Sequence, residues 1–319
     1  MPMPTLLERF TSRDRGALAR LITRAEGRES EFREAMEALY PSTGRAYRIG
    51  VTGPPGAGKS TLVDGLAYAF RKFNNTVAVL AVDPSSPFTG GALLGDRIRM
   101  RTAEEDPSVF VRSMATRGSL GGLARATVDA ADLLDAFGFD RILLETVGVG
   151  QAEHDVVAAT DTVIVVLYPG GGDSVQAMKA GLMEIADVFV VNKSDHAGAD
   201  RLVDDIEQML DLRREREGGR PKIIKVVATQ RDGIDELVAA VEHHKKTREE
   251  NGKLESHRRA RRIEQVQRVV EEELRSVIFD SLGYGRWIES ELARSRPPYS
   301  VANDLVARLR AALHPPNNL

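Results

Sequence analysis

Cysteine is absent from the 319 residues. That excludes disulfides and every thiolate metal site and suits a reducing compartment, so the cytoplasm is the expected location. An excess of one charge is missing too: 44 Lys and Arg stand against 47 Asp and Glu, a net of −3. No global field then favours nucleic acid or an anionic membrane, and neither is an expected partner. No run approaches the ~20 apolar residues of a spanning helix. The opening MPMPTLLERF lacks the charged–apolar–small layout of a signal peptide, and its acid argues against a transit peptide. Repeats and low-complexity segments are absent. What is present is an ordinary composition, 42% hydrophobic and 29% charged. It suffices for one large α/β core with smaller helical additions.

Three textures follow one another, giving expected domains at 1–46, 47–246 and 247–319. In the first, Leu18, Leu21 and Ile22, then Phe32, Ala35, Met36 and Leu39, recur at helical spacing until Pro41, Ser42 and Gly44 end the pattern. The second alternates helical stretches with short apolar runs: 48–52, 76–83, 109–113, 141–146, 162–169, 187–193 and 222–229. The runs are continuous rather than alternating. They therefore predict strands buried on both faces of a doubly wound, mostly parallel sheet, with ligands at the carboxyl ends of the strands. The third is basic up to Arg262. A helical stripe then follows (Ile263, Val266, Val270, Leu274, Val277, Ile278), and a second apolar helix, 305–313, comes after Pro297-Pro298. The stripe has no obvious place on a sheet whose faces already carry helices, so it predicts a homodimer interface.

Residues 53–60, GPPGAGKS, match G-x-x-x-x-G-K-[ST] in full, between a strand and an apolar helix. This is a phosphate cradle. Pro54 and Pro55 have no N–H, so Gly56, Ala57, Gly58, Lys59, Ser60 and Thr61 are the expected donors. Lys59 is expected to bridge the β- and γ-phosphates and Ser60 to ligate Mg²⁺.

A second strand ends in a carboxylate, Glu145, followed by Thr-Val-Gly. Here P-loop enzymes hold an acid for Mg²⁺, usually Asp, and the Gly148 N–H can meet the γ-phosphate. Asp83, in AVDPSSP, and Asp96, in GDRIRM, belong to the same edge. Either can bind Mg²⁺ directly, bind it through water, or orient the attacking water; Asp96 can equally cap a helix. Gln151 resembles a water-positioning glutamine but sits three residues past Gly148, so no catalytic role is assigned to it.

The third loop, 192-NKSD-195, also closes a strand. The Asp195 carboxylate can accept two parallel hydrogen bonds from guanine N1–H and N2–H₂. Adenine offers no such pair, and mismatches of this sort discriminate by ~10⁴. Asn192 is expected to tie this pocket to the phosphate loop, and the Lys193 stem to cover one face of the base. The Ala228 N–H, in ATQRDGI, is expected to reach guanine O6. The chain thus reads as a Mg²⁺-dependent hydrolase of GTP.

Together GPPGAGKS, AVDPSSP, ETVGVGQ and IADVFVVNKSD resemble the MeaB/ArgK family, and the likeness extends to the helical preface, the GGGDSVQAMKAG segment and the helical C-terminal appendix. It implies a P-loop fold and a homodimeric G-protein chaperone. By that resemblance the protein gates adenosylcobalamin loading into methylmalonyl-CoA mutase and protects the enzyme from inactivation. The same resemblance makes 168-YPGGGDSVQAMK-179 a coupling loop that presents Asp173, Gln176 and Lys179 to the mutase. The 228-ATQRDGI-234 segment departs from the usual Ser-Ala form of the guanine loop.

Rival functions fare less well. A nickel or cobalt metallochaperone GTPase carries Cys or His clusters, whereas the six histidines here form no i, i+4 ligand pair. A transport-linked kinase needs a protein-substrate base that no motif supplies. The basic run 245–262 lacks interleaved aromatics and is interrupted by Glu249, Glu250 and Glu255, which favours a solvated helix face over a nucleic-acid contact.

Overall fold

In the computed structural model the seven apolar runs become strands: β1 (Tyr47–Thr52), β2 (Val77–Asp83), β3 (Val109–Ala115), β4 (Arg141–Thr146), β5 (Thr162–Leu167), β6 (Val188–Asn192) and β7 (Lys222–Val226). Residues 3–27, 30–83, 100–115, 122–146, 158–170, 182–212 and 219–313 are described. All strands pair in parallel in the order β3-β2-β4-β1-β5-β6-β7. β2, β3 and β4 thus lie to one side of β1 and β5, β6 and β7 to the other. Such a reversal opens a crevice at the carboxyl ends of the central strands.

The continuous apolar character of β1, β5 and β6 follows from burial at every position. β7 departs from the expectation. It is an edge strand that exposes Lys222 and Lys225, charges that blunt an open edge. It also ends at Val226, because Val227 leaves the ladder to bridge Asp232.

Helices cover both faces. On one, α4 (Lys59–Lys72) and α8 (Ile234–Glu250) bring Leu62, Leu66, Phe70, Leu237 and Val241 onto Ile49, Val79, Ile164 and Val190. On the other, α7 (Ala199–Asp211) sets Leu202 and Ile206 against Val165 and Phe189. The N-terminal helices, α1 (Met3–Thr11), α2 (Arg15–Gly27) and α3 (Ser30–Leu39), are part of this layer. Leu6, Phe10, Leu18, Leu21 and Ile22 share one buried cluster with Leu134 of α6 (Gly122–Phe137) and with Leu80 and Leu144 of the sheet. The short α5 (Arg101–Glu105) packs Ala103 against the first cluster.

At the amino ends of the strands lies a buried charge knot. Arg48 Nη2 donates to Asp132 Oδ1 at 2.6 Å and to Asp135 Oδ2 at 3.3 Å. Asp135 also accepts the N–H groups of Gly44, Arg45 and Ala46. Asp161, its side chain wholly buried, accepts from Arg258 Nη2 at 2.7 Å and from the Arg48 N–H at 3.1 Å. Burial works against the Arg48 charge, but Asp132, Asp135 and Asp161 outweigh it and hold the guanidinium above its ordinary pKa.

Arg258 is the last residue of the first compact unit, 1–258. The basic run is therefore not only a solvated face. Lys245–Glu249 and Lys246–Glu250 pair along the surface, while Arg248 donates to Asp161 O and Arg258 enters the knot. The second unit, 259–319, holds most of α9 (Lys253–Ser276), then α10 (Tyr284–Ala293) and α11 (Pro298–Leu313). Within it Val301 and Leu305 are buried, and Glu291 accepts from Arg294 and Arg296. Ile263, Val266, Val270 and Leu274 are 51%, 63%, 49% and 54% exposed, so the stripe is an uncovered apolar face.

Candidate nucleotide-binding site

The phosphate loop leaves β1 at the centre of the sheet and enters α4. Its path demands glycine. Gly53 has φ +143°, and a Cβ there would lie 2.1 Å from Val166 O; Gly58, at φ +84°, would place one 2.4 Å from Asn192 Nδ2. Backbone and a buried amide cannot yield at such distances. Past Gly58 the N–H groups of Lys59, Ser60 and Thr61 open a helix and have no carbonyl within it to bond. One expected donor is engaged elsewhere: the Ala57 N–H closes a turn onto Pro54 O at 3.3 Å. Lys59 is buried, and its Nζ donates to Gly53 O at 2.8 Å and Pro54 O at 3.0 Å, so the loop's own carbonyls fix the ammonium.

β4 pairs beside β1 and brings Glu145 against the start of α4, where Ser60 Oγ donates to Glu145 Oε1 at 2.5 Å. Two expected Mg²⁺ ligands, 85 positions apart in the chain, are thus in direct contact. Asp83 closes β2 in register with Ala115, at the same carboxyl edge. Only its backbone is described. Asp96, Gly148, Gln151, Asp173, Gln176 and Lys179 lie outside the described residues.

At the base end, Asn192 terminates β6 and is buried. Its Nδ2 donates to Ala57 O at 2.7 Å, and its Oδ1 accepts the Ala228 N–H at 3.1 Å. One amide therefore braces the phosphate loop and the guanine loop together. This corrects the expectation for Ala228, whose N–H serves Asn192 rather than an open position for a base oxygen. Asp195 is half-exposed, with Oδ2 3.9 Å from His196 Nε2, so its carboxylate is accessible to a ligand. Lys193 takes φ +56°, and its Nζ lies 4.5 Å from the centroid of the Tyr168 ring. The sequence motifs place Tyr168 at the head of the 168–179 loop and give it no part at the base. The signal for such a part is its place just past the end of β5, the strand between those that carry the two loops.

The arrangement offers backbone donors with a fixed cation, a paired hydroxyl and carboxylate, and an accessible carboxylate, carried past the carboxyl ends of β1, β4 and β6. Such a set suits a nucleoside polyphosphate. Comparison with known proteins agrees. The family model for methylmalonyl-CoA mutase-associated GTPase MeaB matches residues 18–281. A GTPase candidate of Pyrococcus horikoshii is 50% identical over 309 residues, 96% of this chain and 97% of that protein. The Escherichia coli GTPase ArgK is 34% identical, covering 90% of this chain and 89% of its own. The mitochondrial methylmalonic aciduria type A homolog of Mus musculus is 40% identical over 239 residues, 73% of this chain and 56% of that protein. Among solved structures, a LAO/AO transport system kinase superposes with a TM-score of 0.74 at 26% identity, covering 97% of each chain. Relatives named as GTPases align along almost the whole sequence, so the chain is a GTPase. By its sequence, and with the fold in agreement, the chain belongs to the MeaB family of methylmalonyl-CoA mutase-associated GTPases.

Proposed function

We propose that this GTPase is a G-protein chaperone that gates adenosylcobalamin loading into methylmalonyl-CoA mutase and protects the enzyme from inactivation. The observation that carries the reading is the match over residues 18–281 to a family named for its association with that mutase. In this reading the Lys59 ammonium and the N–H groups of Gly56, Gly58, Lys59, Ser60 and Thr61 hold the phosphates, while Ala57 shapes the loop through its turn onto Pro54. Lys193 and Asp195 bind guanine, while Asn192 ties their pocket to the phosphate loop and Ala228 braces it through Asn192. Gly148 contributes its N–H at the γ-phosphate.

Ser60 Oγ and the Glu145 carboxylate, already in contact, form the hard oxygen pair that Mg²⁺ takes. They would hold the ion, with Asp83 and Asp96 as further carboxylates. Bound there, Mg²⁺ neutralises charge on the β- and γ-phosphate oxygens. Asp195 selects guanine because adenine would leave its charge unpaired. The 168–179 loop, through Asp173, Gln176 and Lys179, relays nucleotide state to the mutase. A homodimer formed through the exposed stripe of α9 and a cytoplasmic location complete the reading. Among the described residues no helix is long and apolar enough to cross a membrane.

The test is to mix the protein with an adenosylcobalamin-dependent methylmalonyl-CoA mutase, then measure co-elution and GTP hydrolysis with and without it. Association and a faster rate with the mutase are expected, and Lys179→Ala should erase most of the stimulation. No association together with an unchanged rate would refute the mutase assignment and leave the GTPase standing.

A further inference from the structure

We infer that Tyr168 is a positioning residue for the guanine nucleotide, holding the Lys193 ammonium so that the lysine stem is laid across the base. The inference rests on the reading of 192-NKSD-195 as the base pocket and gives a part there to Tyr168, otherwise only the first residue of the 168–179 loop.

β5 lies between β1, which carries the phosphate loop, and β6, which carries Asn192 and Lys193. Tyr168 is the first residue past β5, so it emerges between the two loops. It contacts both. Its hydroxyl sits 3.7 Å from where a Cβ of Gly56 would be, and its ring centroid is 4.5 Å from Lys193 Nζ. The ring is half-buried and packed against the main core cluster, which fixes its place. Lys193, by contrast, is a flexible side chain on a backbone held at φ +56°. A lysine that must cover a planar base has four rotatable bonds to order, and an ammonium drawn to a fixed aromatic face loses most of that freedom before the ligand arrives. The charge stays hydrated at its rim while the methylenes remain available for apolar contact.

Such an arrangement predicts coupling between two particular residues rather than a general loss of stability. Removing the ring should weaken nucleotide binding only where the lysine charge is present. Affinity for GDP and for a non-hydrolysable GTP analogue is measured by calorimetry on the full chain for wild type, Tyr168→Leu, Tyr168→Phe, Lys193→Met and the Tyr168→Leu/Lys193→Met double variant. Tyr168→Leu should weaken both ligands about three- to tenfold, the range of a partly desolvated cation–aromatic contact. Tyr168→Phe keeps the ring and should recover most of the affinity. In the Lys193→Met background, Tyr168→Leu should change affinity less than about twofold, since the cycle isolates the pair.

An equal loss in both lysine backgrounds would overturn the inference and reduce Tyr168 to core packing. So would a Tyr168→Leu affinity within twofold of wild type, or failure of Tyr168→Phe to recover binding. Asp195→Asn in the same assay reports separately on the base pocket. If it leaves the preference for guanine over xanthine unchanged, the pocket assignment falls; the Tyr168–Lys193 coupling is judged by its own cycle.

Discussion

Replacing Asn192 with alanine removes both arms of the brace between the phosphate loop and the guanine loop. The lost bonds are Nδ2 to Ala57 O at 2.7 Å and Ala228 N–H to Oδ1 at 3.1 Å. Asn192 is 3% exposed, Ala57 0% and Ala228 5%, so water cannot readily replace the amide. Each buried polar group left unpaired costs ~1–3 kcal/mol. Two such groups, partly relaxed, sum to about 2–4 kcal/mol, which lowers the melting temperature of a domain this size by roughly 5–12 °C. The brace joins Ala57 to Ala228 and uses no group expected at the γ-phosphate, so GDP and GTP should weaken by the same factor, about five- to thirtyfold if half that energy goes into loop placement. Scanning fluorimetry on the nucleotide-free protein gives the first number, and calorimetry with GDP and a non-hydrolysable GTP analogue gives the second. A melting temperature within about 1 °C of wild type with unchanged affinities would refute the brace. A loss confined to GTP would instead make Asn192 a γ-phosphate contact.

Asp195→Asn should lower GTP affinity and admit xanthosine triphosphate, whose O2 accepts from an amide; a competition assay with unchanged preference removes Asp195 from the base pocket. Arg258→Ala removes the ion-pair partner of the fully buried Asp161 carboxylate and should destabilise the protein by ~3 kcal/mol in urea denaturation, and a loss under ~1 kcal/mol would show that the knot is dispensable. His244 has its pKa lowered first by burial, with Arg248, His243 and His257 reinforcing this and Asp187 opposing it. Because its folded pKa lies below the unfolded value near ~6.5, the neutral ring's contribution is present above that pH and is lost as pH falls below it. Stability measured at about pH 7.5 and 5.5 should therefore drop more steeply for wild type than for His244→Gln, and parallel curves would contradict this.

The strands were legible because parallel strands buried on both faces need unbroken apolar runs, and β1, β5 and β6 have them. The phosphate loop was legible for a steric reason, since Gly53 and Gly58 stand where backbone or amide leaves no room for a side chain. Less could be read wherever a contact joins distant positions. Tyr168 and Lys193 belong to neighbouring strand ends, yet nothing in either run marks the pairing. Arg48, Asp132, Asp135, Asp161 and Arg258 read one at a time as strand flanks or helix-surface charges. Only the folded chain gathers them into one buried knot. The departure of Val227 from the ladder was illegible for another reason: KVVAT is a sound strand sequence, and the turn that bridges it to Asp232 is set by the residues that follow.

The N-terminal helices reach past their own stability. Arg15 donates to Val109 O, Arg112 pairs with Glu26, and Phe10 meets the edge of Phe137 with centroids 5.1 Å apart. What reads as an appendage is the lid of an apolar face that includes Leu80, Leu144 and Phe110. A fragment library or a domain graft cut at the start of β1 would therefore carry a sheet with part of one face bare, ready to stick to its neighbours. The smallest portable form of this GTPase begins with α1, well upstream of the phosphate loop.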